Sequence, residues 1–280
     1  MSGRHTPPHS SSPHRRRGKL ESEEGQRATL DSSTRSSSNA TSKSSSLRQI
    51  SNPSNGGNAT ATPFQTNLCP SESVLRKVAR IPILDAEGKE QLFEDLYMPS
   101  RPGETKRVLV IFIRHFFCGS CQEYITALSS SIPSQSVLPP NTTIAIVGCG
   151  ANSLIPMYEE VTKCPFPIYT DPTQRLYTLF GMTRTLNRGS YAPEYAQSSL
   201  ASLVVKGITQ GLKRMLAGDM LQSGDKQQNG GELLFEAEIT DPVTSDMKGY
   251  NVKVPWCHLM ENTRNHSEIS VLKDVLGIGE

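Results

Sequence analysis

The stretch that decides the fold is Arg107–Glu123, RVLVIFIRHFFCGSCQE, which joins an apolar run to a closely spaced pair of cysteines. The residues before Arg114 are apolar and largely β-branched, which indicates a buried strand. The residues after Cys121 are good helix formers with an apolar stripe, which indicates a helix. The sequence therefore predicts that Cys118 and Cys121 stand where a buried strand passes into a helix.

A cysteine pair at the start of a helix has a chemical use. The unpaired N–H groups and the dipole of a helix N-terminus stabilise a thiolate and lower the thiol pKa. Arg114, four residues before Cys118, adds a positive charge. We therefore take Cys118, Cys121 and Arg114 as the candidate catalytic residues, and which cysteine attacks stays open.

The composition of the 280 residues changes near residue 66. Residues 1–66 hold 16 serines and few apolar residues, so they bury too little apolar surface to offset the entropy of ordering. They carry a net charge of +5, and the rest of the chain carries −3. The sequence predicts a disordered, basic, Ser-rich tail over 1–66 and one domain over 67–280. Because this domain is nearly neutral, we expect no nucleic-acid partner.

Targeting signals and cysteine content predict the compartment. We find no apolar core of a secretory signal and no apolar run of about 20 residues that would span a bilayer. We therefore expect a cytoplasmic protein with no membrane partner, and the basic cluster Arg15–Arg17 adds the nucleus as a second location. Six cysteines in such a protein point to reduced, catalytic or metal-binding thiols rather than structural disulfides.

Beyond the tail, helix and strand patterns alternate along the chain. We predict helices over 73–79, 153–161 (capped by Ser153), 197–217 and 267–276 (capped by Ser267 or Asn265), and one starting at Asp171. We predict strands within 82–97 and over 108–113, 142–147, 166–170, 232–236 and 252–259, the last at a sheet edge because of Pro255. This order implies an α/β fold with a central mixed sheet and helices on both faces, as in a thioredoxin-like domain.

Four segments carry a family resemblance, and together they span roughly residues 75–276. They are Phe112–Cys121, Val147–Gly150, Phe166–Met182 and the stretch from Gly230 through Trp256-Cys257-His258 to His266. In combination they resemble the peroxiredoxin-like (alkyl hydroperoxide reductase/thiol-specific antioxidant-like) branch of the thioredoxin superfamily, in its eukaryotic subset, which includes fungal proteins with long N-terminal extensions. The resemblance implies a thioredoxin fold, thiol-based redox chemistry, a peroxide or protein disulfide as substrate, and a thiol protein or small thiol as reductant.

The sequence departs from the usual peroxiredoxin motif, Pro-x-x-x-Thr/Ser-x-x-Cys, whose hydroxyl helps position the peroxide. When the motif is aligned on Cys121, Cys118 takes the hydroxyl position and Arg114 the proline position. When it is aligned on Cys118, those positions are His115 and Ile111. Neither alignment restores the motif, so peroxide and disulfide substrates both stay open.

Two alternatives to an enzyme stay open, and no cofactor is expected. The domain is alternatively a non-catalytic thioredoxin-fold module for regulation or interaction, since a fold does not establish a function. A zinc module is less well supported, because Cys257 and His258 are adjacent and would point to opposite faces of a strand. Neither a dinucleotide-binding pattern nor a phosphate-binding loop is present in the sequence.

Residues outside the motif receive structural roles. We expect Cys149 and Cys164 to behave as small buried apolar residues. We expect His115 at the surface, because on a strand end it would point away from the side of Arg114. Cys257 is an alternative resolving thiol if its strand flanks the pair. The remaining expectations are a free Cys69, a packed Trp256 and solvated loop arginines at Arg184 and Arg188.

Overall fold

The computed structural model describes residues 69–190, 192–196, 222–239 and 250–279. The expected tail over 1–66 and the expected helix over 197–217 lie outside these residues. None of the helices in the described ranges has both the length and the apolar character needed to cross a bilayer.

Seven strands and five α-helices form the described part of the chain. The strands are β1 Pro82–Leu84, β2 Glu90–Leu92, β3 Thr105–Phe112, β4 Thr142–Gly148, β5 Ile168–Thr170, β6 Gly231–Ile239 and β7 Tyr250–Leu259. The helices are α1 Glu72–Ala79, α2 Gly119–Ser131, α3 Ile155–Thr162, α4 Arg175–Leu179 and α5 Ile269–Leu276. Short 3-10 turns lie at Phe93–Leu96, Gln135–Val137, Asn152–Leu154 and Glu194–Ala196.

All seven strands belong to one mixed sheet, in the order β2-β1-β5-β4-β3-β6-β7. Strands β3, β4 and β5 are parallel, and the other neighbours are antiparallel. Because parallel strands end at the same edge of a sheet, the loops that follow β3, β4 and β5 meet there. This edge is where the cysteine pair lies.

Helices cover both faces of the sheet, which confirms the predicted thioredoxin-like architecture. Side chains alternate along β3, as they must in a strand. Val108 and Phe112 pack into a core that includes residues of α1 and α4. Leu109 and Ile111 pack into a second core that includes residues of α2, α3 and α5. The central strand is therefore buried on both sides, which explains its continuous apolar run.

The edge position predicted for the last strand is confirmed. In the register of β6 and β7, Trp256 lies opposite Leu234 and Lys253 lies opposite Glu236. Strand β7 therefore holds one more residue than β6 across this stretch, which is a β-bulge at Pro255. A proline has no N–H to donate to a neighbouring strand, so an irregular position on an edge strand suits it.

Two predicted helix caps are wrong, and the helix predicted to start at Asp171 begins only at Arg175. Ser153 lies inside a 3-10 turn ahead of α3 and makes no cap. Helix α5 begins after Glu268, so neither Ser267 nor Asn265 is its N-cap. The Ser267 hydroxyl instead donates to the buried carboxylate of Glu232 at 3.2 Å. Local sequence favoured a cap at that serine, but a tertiary contact uses its side chain.

Candidate active site

The two cysteines lie at the turn from β3 into α2, as the sequence predicts. Cys118 is the N-cap of α2, and its Sγ accepts a hydrogen bond from the N–H of Cys121 at 3.4 Å. The Gln122 side chain fixes this turn by donating to the Phe116 carbonyl at 2.8 Å. The sulfur of Cys118 therefore lies at the positive end of the helix dipole.

Arg114 lies buried against Cys118, with 6% of its surface exposed. Its Nη1 donates to the Sγ of Cys118 at 3.3 Å. Its Nε donates to the carbonyl of Gln228 at 3.1 Å, and its Nη2 donates to the carbonyl of Lys226. Backbone carbonyls from the segment before β6 therefore hold the guanidinium in contact with the sulfur.

These contacts favour an anionic sulfur at Cys118. Hydrogen bonding with the Cys121 side chain is the largest effect, and it lowers the pKa of Cys118. Burial acts in the opposite direction, while the Arg114 charge, the Cys121 N–H and the Arg114 hydrogen bond lower the pKa further, to about 6. Because this value lies below neutrality, Cys118 is largely a thiolate at pH 7.

Cys121 is the opposite kind of thiol. It is fully buried, and the N–H of Arg114 donates to its Sγ at 3.4 Å. Burial, followed by the hydrogen bond and negative charge of Cys118, raises the pKa of Cys121 well above its ordinary value. Both cysteines are free thiols. The pair is therefore asymmetric, with the charge on Cys118 and the proton on Cys121.

Cys118 opens onto a cleft of about 710 Å³. Besides Arg114, three positively charged residues line this cleft together with Glu123, namely Arg188, Lys226 and Arg264. Arg188 is exposed, as expected of a loop arginine. Among the described residues that line the cleft, Cys121 is absent. A molecule in the cleft would therefore meet the sulfur of Cys118 first.

His115 also lines this cleft, and the prediction that it lies at the surface is wrong. Only 7% of its surface is exposed. The alternation of a strand does not reach it, because β3 ends at Phe112. Burial, and then the charges of Arg114 and Lys226, lowers the pKa of His115 to about 4. Its ring is therefore neutral at physiological pH.

A buried histidine and carboxylate lie behind Cys121. Nε2 of His266 is 3.3 Å from the Sγ of Cys121, and Nδ1 of His266 is 2.6 Å from Oε1 of Glu232. The side chains of both residues are fully buried. The ring of Tyr124 stacks on that of His266, with centroids 4.2 Å apart and planes inclined by 7°.

The sequence motifs include His266 only at the end of a family segment, and they do not single out Glu232. One signal is present in the sequence, because Glu232 is a carboxylate that begins a predicted strand, directly before the apolar run Leu233–Phe235. A buried carboxylate needs a charged or hydrogen-bonding partner. Its partner is 34 residues away in the sequence, so local patterns do not reveal the pair.

Two further cysteines have the structural roles expected of them. Cys149 is buried, and its Sγ donates to the carbonyl of Arg114 at 3.0 Å. Burial is the largest reason that the pKa of Cys149 rises to about 12. Cys164 is half-buried, and burial raises its pKa to about 11. Neither sulfur has the electrostatic surroundings of a nucleophile.

Cys257 does not flank the pair, so the alternative of a second resolving thiol at this position is wrong. It lies opposite Leu233 in the sheet and packs into the core on the α1 and α4 face. Cys118 and Cys121 belong to the core on the other face. The sheet therefore separates Cys257 from the pair. Burial, and then contact with Cys69, raises the pKa of Cys257 to about 12.

The other residues considered in the sequence have structural or surface positions. Trp256 is half-buried and packs against the core that contains the cysteine pair, which confirms its packing role. Arg184 is exposed and forms an ion pair with Asp225. Within the described ranges, no three histidine, cysteine, aspartate or glutamate side chains are grouped as they would be to hold a metal ion.

Comparison with known proteins identifies relatives of this chain. A family model described as AhpC/TSA antioxidant enzyme matches residues 127–242. The match begins after both cysteines, within α2. Peroxiredoxin-like 2C of Bos taurus is 27% identical over 224 residues, which cover 79% of this chain and 88% of that protein. Peroxiredoxin-like 2C of Homo sapiens has the same identity and coverage.

Over most of its length, the chain is similar to proteins named peroxiredoxin-like 2C. This confirms the resemblance inferred from the sequence segments. The relatives are animal proteins, so they agree with the expected eukaryotic subset, and the fungal type stays an expectation. Because the matched family model is that of an antioxidant enzyme, thiol-dependent antioxidant oxidoreduction is supported as the general function.

Several of the solved structures similar to this one are named as peroxiredoxins or peroxidoxins. Peroxidoxin BcpB from Mycobacterium tuberculosis is 10% identical with a TM-score of 0.38, covering 70% of this chain and 89% of that chain. The bacterioferritin comigratory protein of Xanthomonas campestris is 9% identical with a TM-score of 0.41, covering 72% and 91%. At this level of similarity, the fold assignment depends on the sheet order and helix layers described above.

Proposed function

We propose that this protein is a thiol-dependent oxidoreductase in which Cys118 attacks the substrate and Cys121 resolves the intermediate. The observation that carries the proposal is the asymmetry of the pair. Cys118 is a low-pKa sulfur that opens onto a cleft, whereas Cys121 is a fully buried thiol of raised pKa next to it. The nucleophile in such chemistry is the thiolate, so the attacking role belongs to Cys118.

The first step forms a bond to the sulfur of Cys118. With a hydroperoxide, an S–O bond forms as the O–O bond breaks, sulfur loses two electrons, and the alkoxide takes a proton and leaves as an alcohol. With a disulfide, a new S–S bond forms as the old one breaks, and a thiolate leaves. The Arg114 guanidinium, 3.3 Å from the sulfur, stabilises the attacking anion and orients it.

In the second step Cys121 loses its proton and attacks the sulfur of Cys118. A Cys118–Cys121 disulfide forms, and water leaves from a sulfenic acid or a thiol leaves from a mixed disulfide. A thiol protein or a small thiol then reduces the disulfide. Positive charge along the cleft, at Arg188, Lys226 and Arg264, favours a reductant or substrate that carries carboxylates.

The alternative is a non-catalytic module that keeps the fold. It predicts two thiols of ordinary pKa that do not close to a disulfide under mild oxidation. A single mass-spectrometric experiment separates the two functions. The full-length reduced protein is treated with one equivalent of hydrogen peroxide or of a model disulfide and quenched with a thiol-blocking reagent. Its intact mass is then measured.

The oxidoreductase is expected to lose two hydrogens, with the new bond mapped to the peptide that holds Cys118 and Cys121. Cys121→Ser should stop at the sulfenic acid or mixed disulfide on Cys118, and Cys118→Ser should not react. Cys164→Ser is the matched control and should behave like the wild type. Equal oxidation of Cys118→Ser and the wild type would exclude this site.

A further inference from the structure

His266 and Glu232 connect the resolving cysteine to a buried carboxylate. We infer that His266 is the base that removes the proton of Cys121 in the resolving step, and that Glu232 positions its ring. The inference rests on the proposed function, because it assumes that Cys121 is the resolving thiol. Two short contacts, from the sulfur to Nε2 at 3.3 Å and from Nδ1 to the carboxylate at 2.6 Å, connect Cys121 to Glu232 through the two nitrogens of one ring.

The hydrogen bonds determine which nitrogen faces the sulfur as a base. An ionised carboxylate has no proton to donate, so Nδ1 of His266 must donate to Glu232. Burial alone would raise the pKa of Glu232, but the hydrogen bonds from His266 and from the backbone N–H of Ser267 help to lower it below its ordinary value. With Nδ1 bonded to Glu232, the ring faces the sulfur of Cys121 with Nε2, the nitrogen that would take the proton.

Several contacts hold this arrangement in place. Ser267 donates to Oε2 of Glu232 through its hydroxyl at 3.2 Å and its N–H at 3.4 Å. The ring of Tyr124 from α2 covers one face of the His266 ring. A hydrogen-bonded and stacked imidazole cannot turn away from the sulfur without losing these contacts. The geometry therefore keeps one tautomer and one orientation.

The resolving thiol needs such a base because it has no exposed surface of its own. Burial raises the pKa of Cys121 well above the ordinary value, so spontaneous loss of its proton to water is slow at neutral pH. The titratable and charged groups around the relay come from every neighbouring element. Arg114 and Cys118 lie just before α2, and Tyr124 lies within it. The others are Tyr195 in its 3-10 turn, His258 on β7, and Glu268 before α5.

The step balances without an added reagent. Nε2 of His266 takes the proton of Cys121, and the resulting thiolate attacks the sulfur of Cys118. An S–S bond forms as the S–O bond of the sulfenic acid breaks. The departing hydroxide takes the proton back from His266 and leaves as water, so the histidine returns to its starting state. With a mixed disulfide, the departing thiolate takes that proton.

The test separates intermediate formation from disulfide closure in the full-length protein. The Cys118 intermediate is generated with hydrogen peroxide or a chromogenic aromatic disulfide, and its decay is followed by rapid quench and mass spectrometry from pH 6 to pH 9. His266→Gln and Glu232→Gln should form the intermediate within twofold of the wild-type rate. Closure should slow about 100-fold in His266→Gln at pH 7, since a general base contributes roughly 10²- to 10⁴-fold.

The pH profile distinguishes a base from a packing residue. In His266→Gln, closure should accelerate about tenfold per pH unit as the thiol ionises in solvent, whereas a packing defect would slow it equally at all pH values. His258→Gln is the control for charge near Glu232 alone, because His258 also lowers the pKa of Glu232 but bonds the carbonyl of Asn265 rather than a sulfur, so closure should slow far less than in His266→Gln. Closure at the wild-type rate and pH profile in His266→Gln would overturn the inference.

A measurement on the wild type keeps the inference falsifiable if a variant unfolds or if Cys118 forms no intermediate. ¹⁵N NMR of the His266 ring in the reduced protein should show a proton on Nδ1, and the Nε2 signal should shift when Cys121 is replaced by serine. A bare Nδ1 would overturn the relay. Failure of the wild type to form any Cys118 intermediate would instead overturn the proposed function.

Discussion

Arg114 and the helix N-terminus give the two cysteines different acidities although they are three residues apart. The guanidinium donates to the sulfur of Cys118, whereas the sulfur of Cys121 accepts the backbone N–H of Arg114 and lies 3.3 Å from Nε2 of His266. Exposure differs in the same sense, because Cys118 opens to the cleft and Cys121 is sealed. The different reactivity of the two cysteines therefore depends on where each sulfur lies relative to Arg114 and the cleft.

The sequence predicts this part of the site well, since the strand pattern, the arginine and the cysteine pair all lie within the 14 residues Val108–Cys121. It does not predict His115 correctly, because the chain leaves the strand at Phe112 and alternation no longer applies. His266 and Glu232 also escape prediction, because a contact between residues 34 positions apart is set by strand pairing. Local sequence patterns therefore predict the cysteine pair and Arg114, but they do not predict His266 and Glu232, which lie next to Cys121 in the fold.

At the level of elements, the site depends on the close approach of β3 and β6. A Cβ added at Gly230 would lie 1.8 Å from the carbonyl oxygen of Phe112. The atom in the way belongs to the backbone of β3, so it cannot move aside as the end of a flexible side chain could. Gly230 therefore allows the last residue of β3 to lie directly against the start of β6, just ahead of Glu232.

We expect Gly230→Ala to lower the free energy of unfolding by about 3 kcal/mol, the upper part of the range for overpacking. Urea unfolding of the reduced protein measures it. Gly119→Ala is the matched control, because a Cβ there meets no atom within 4 Å and alanine favours the first turn of α2. Equal midpoints for Gly230→Ala and the wild type would show that the strands are not in tight contact.

Elements with a strong apolar pattern are predicted better than their ends. Strands β3 and β4 match the sequence prediction within a few residues, because both are buried on both faces. The caps of α3 and α5 are not predicted, since Ser267 binds Glu232 instead of the helix. The order of strands across the sheet also lies beyond local patterns, because β6 inserts beside β3 from far along the chain.

For the whole molecule, the redox state of the pair should change stability with pH. In the reduced folded protein the pKa of Cys118 is about 6, against an ordinary thiol value of 9.0. Between these values the unfolded chain binds the proton and the folded chain does not, so stability rises with pH. This contribution is complete above about pH 9 and is lost as the pH falls to about 6. The disulfide form has no such thiolate.

The difference in unfolding free energy, reduced minus oxidised, should therefore increase by about 2 kcal/mol between pH 6.5 and pH 8. Paired urea titrations of the two forms measure this difference, and other titrating groups largely cancel within it. A difference that stays flat over this range, or falls, would contradict a stabilised thiolate at Cys118.

The central claim is that Cys118 is a thiolate at neutral pH, and its ultraviolet absorbance tests that claim most directly. The reduced protein, titrated from pH 4 to pH 10 and followed at 240 nm, should gain one thiolate with a midpoint near pH 6. The transition should vanish in Cys118→Ser, and it should move to higher pH in Arg114→Met, which lacks the guanidinium. Absorbance that rises only above pH 8, and alike in the wild type and Cys118→Ser, would contradict the account.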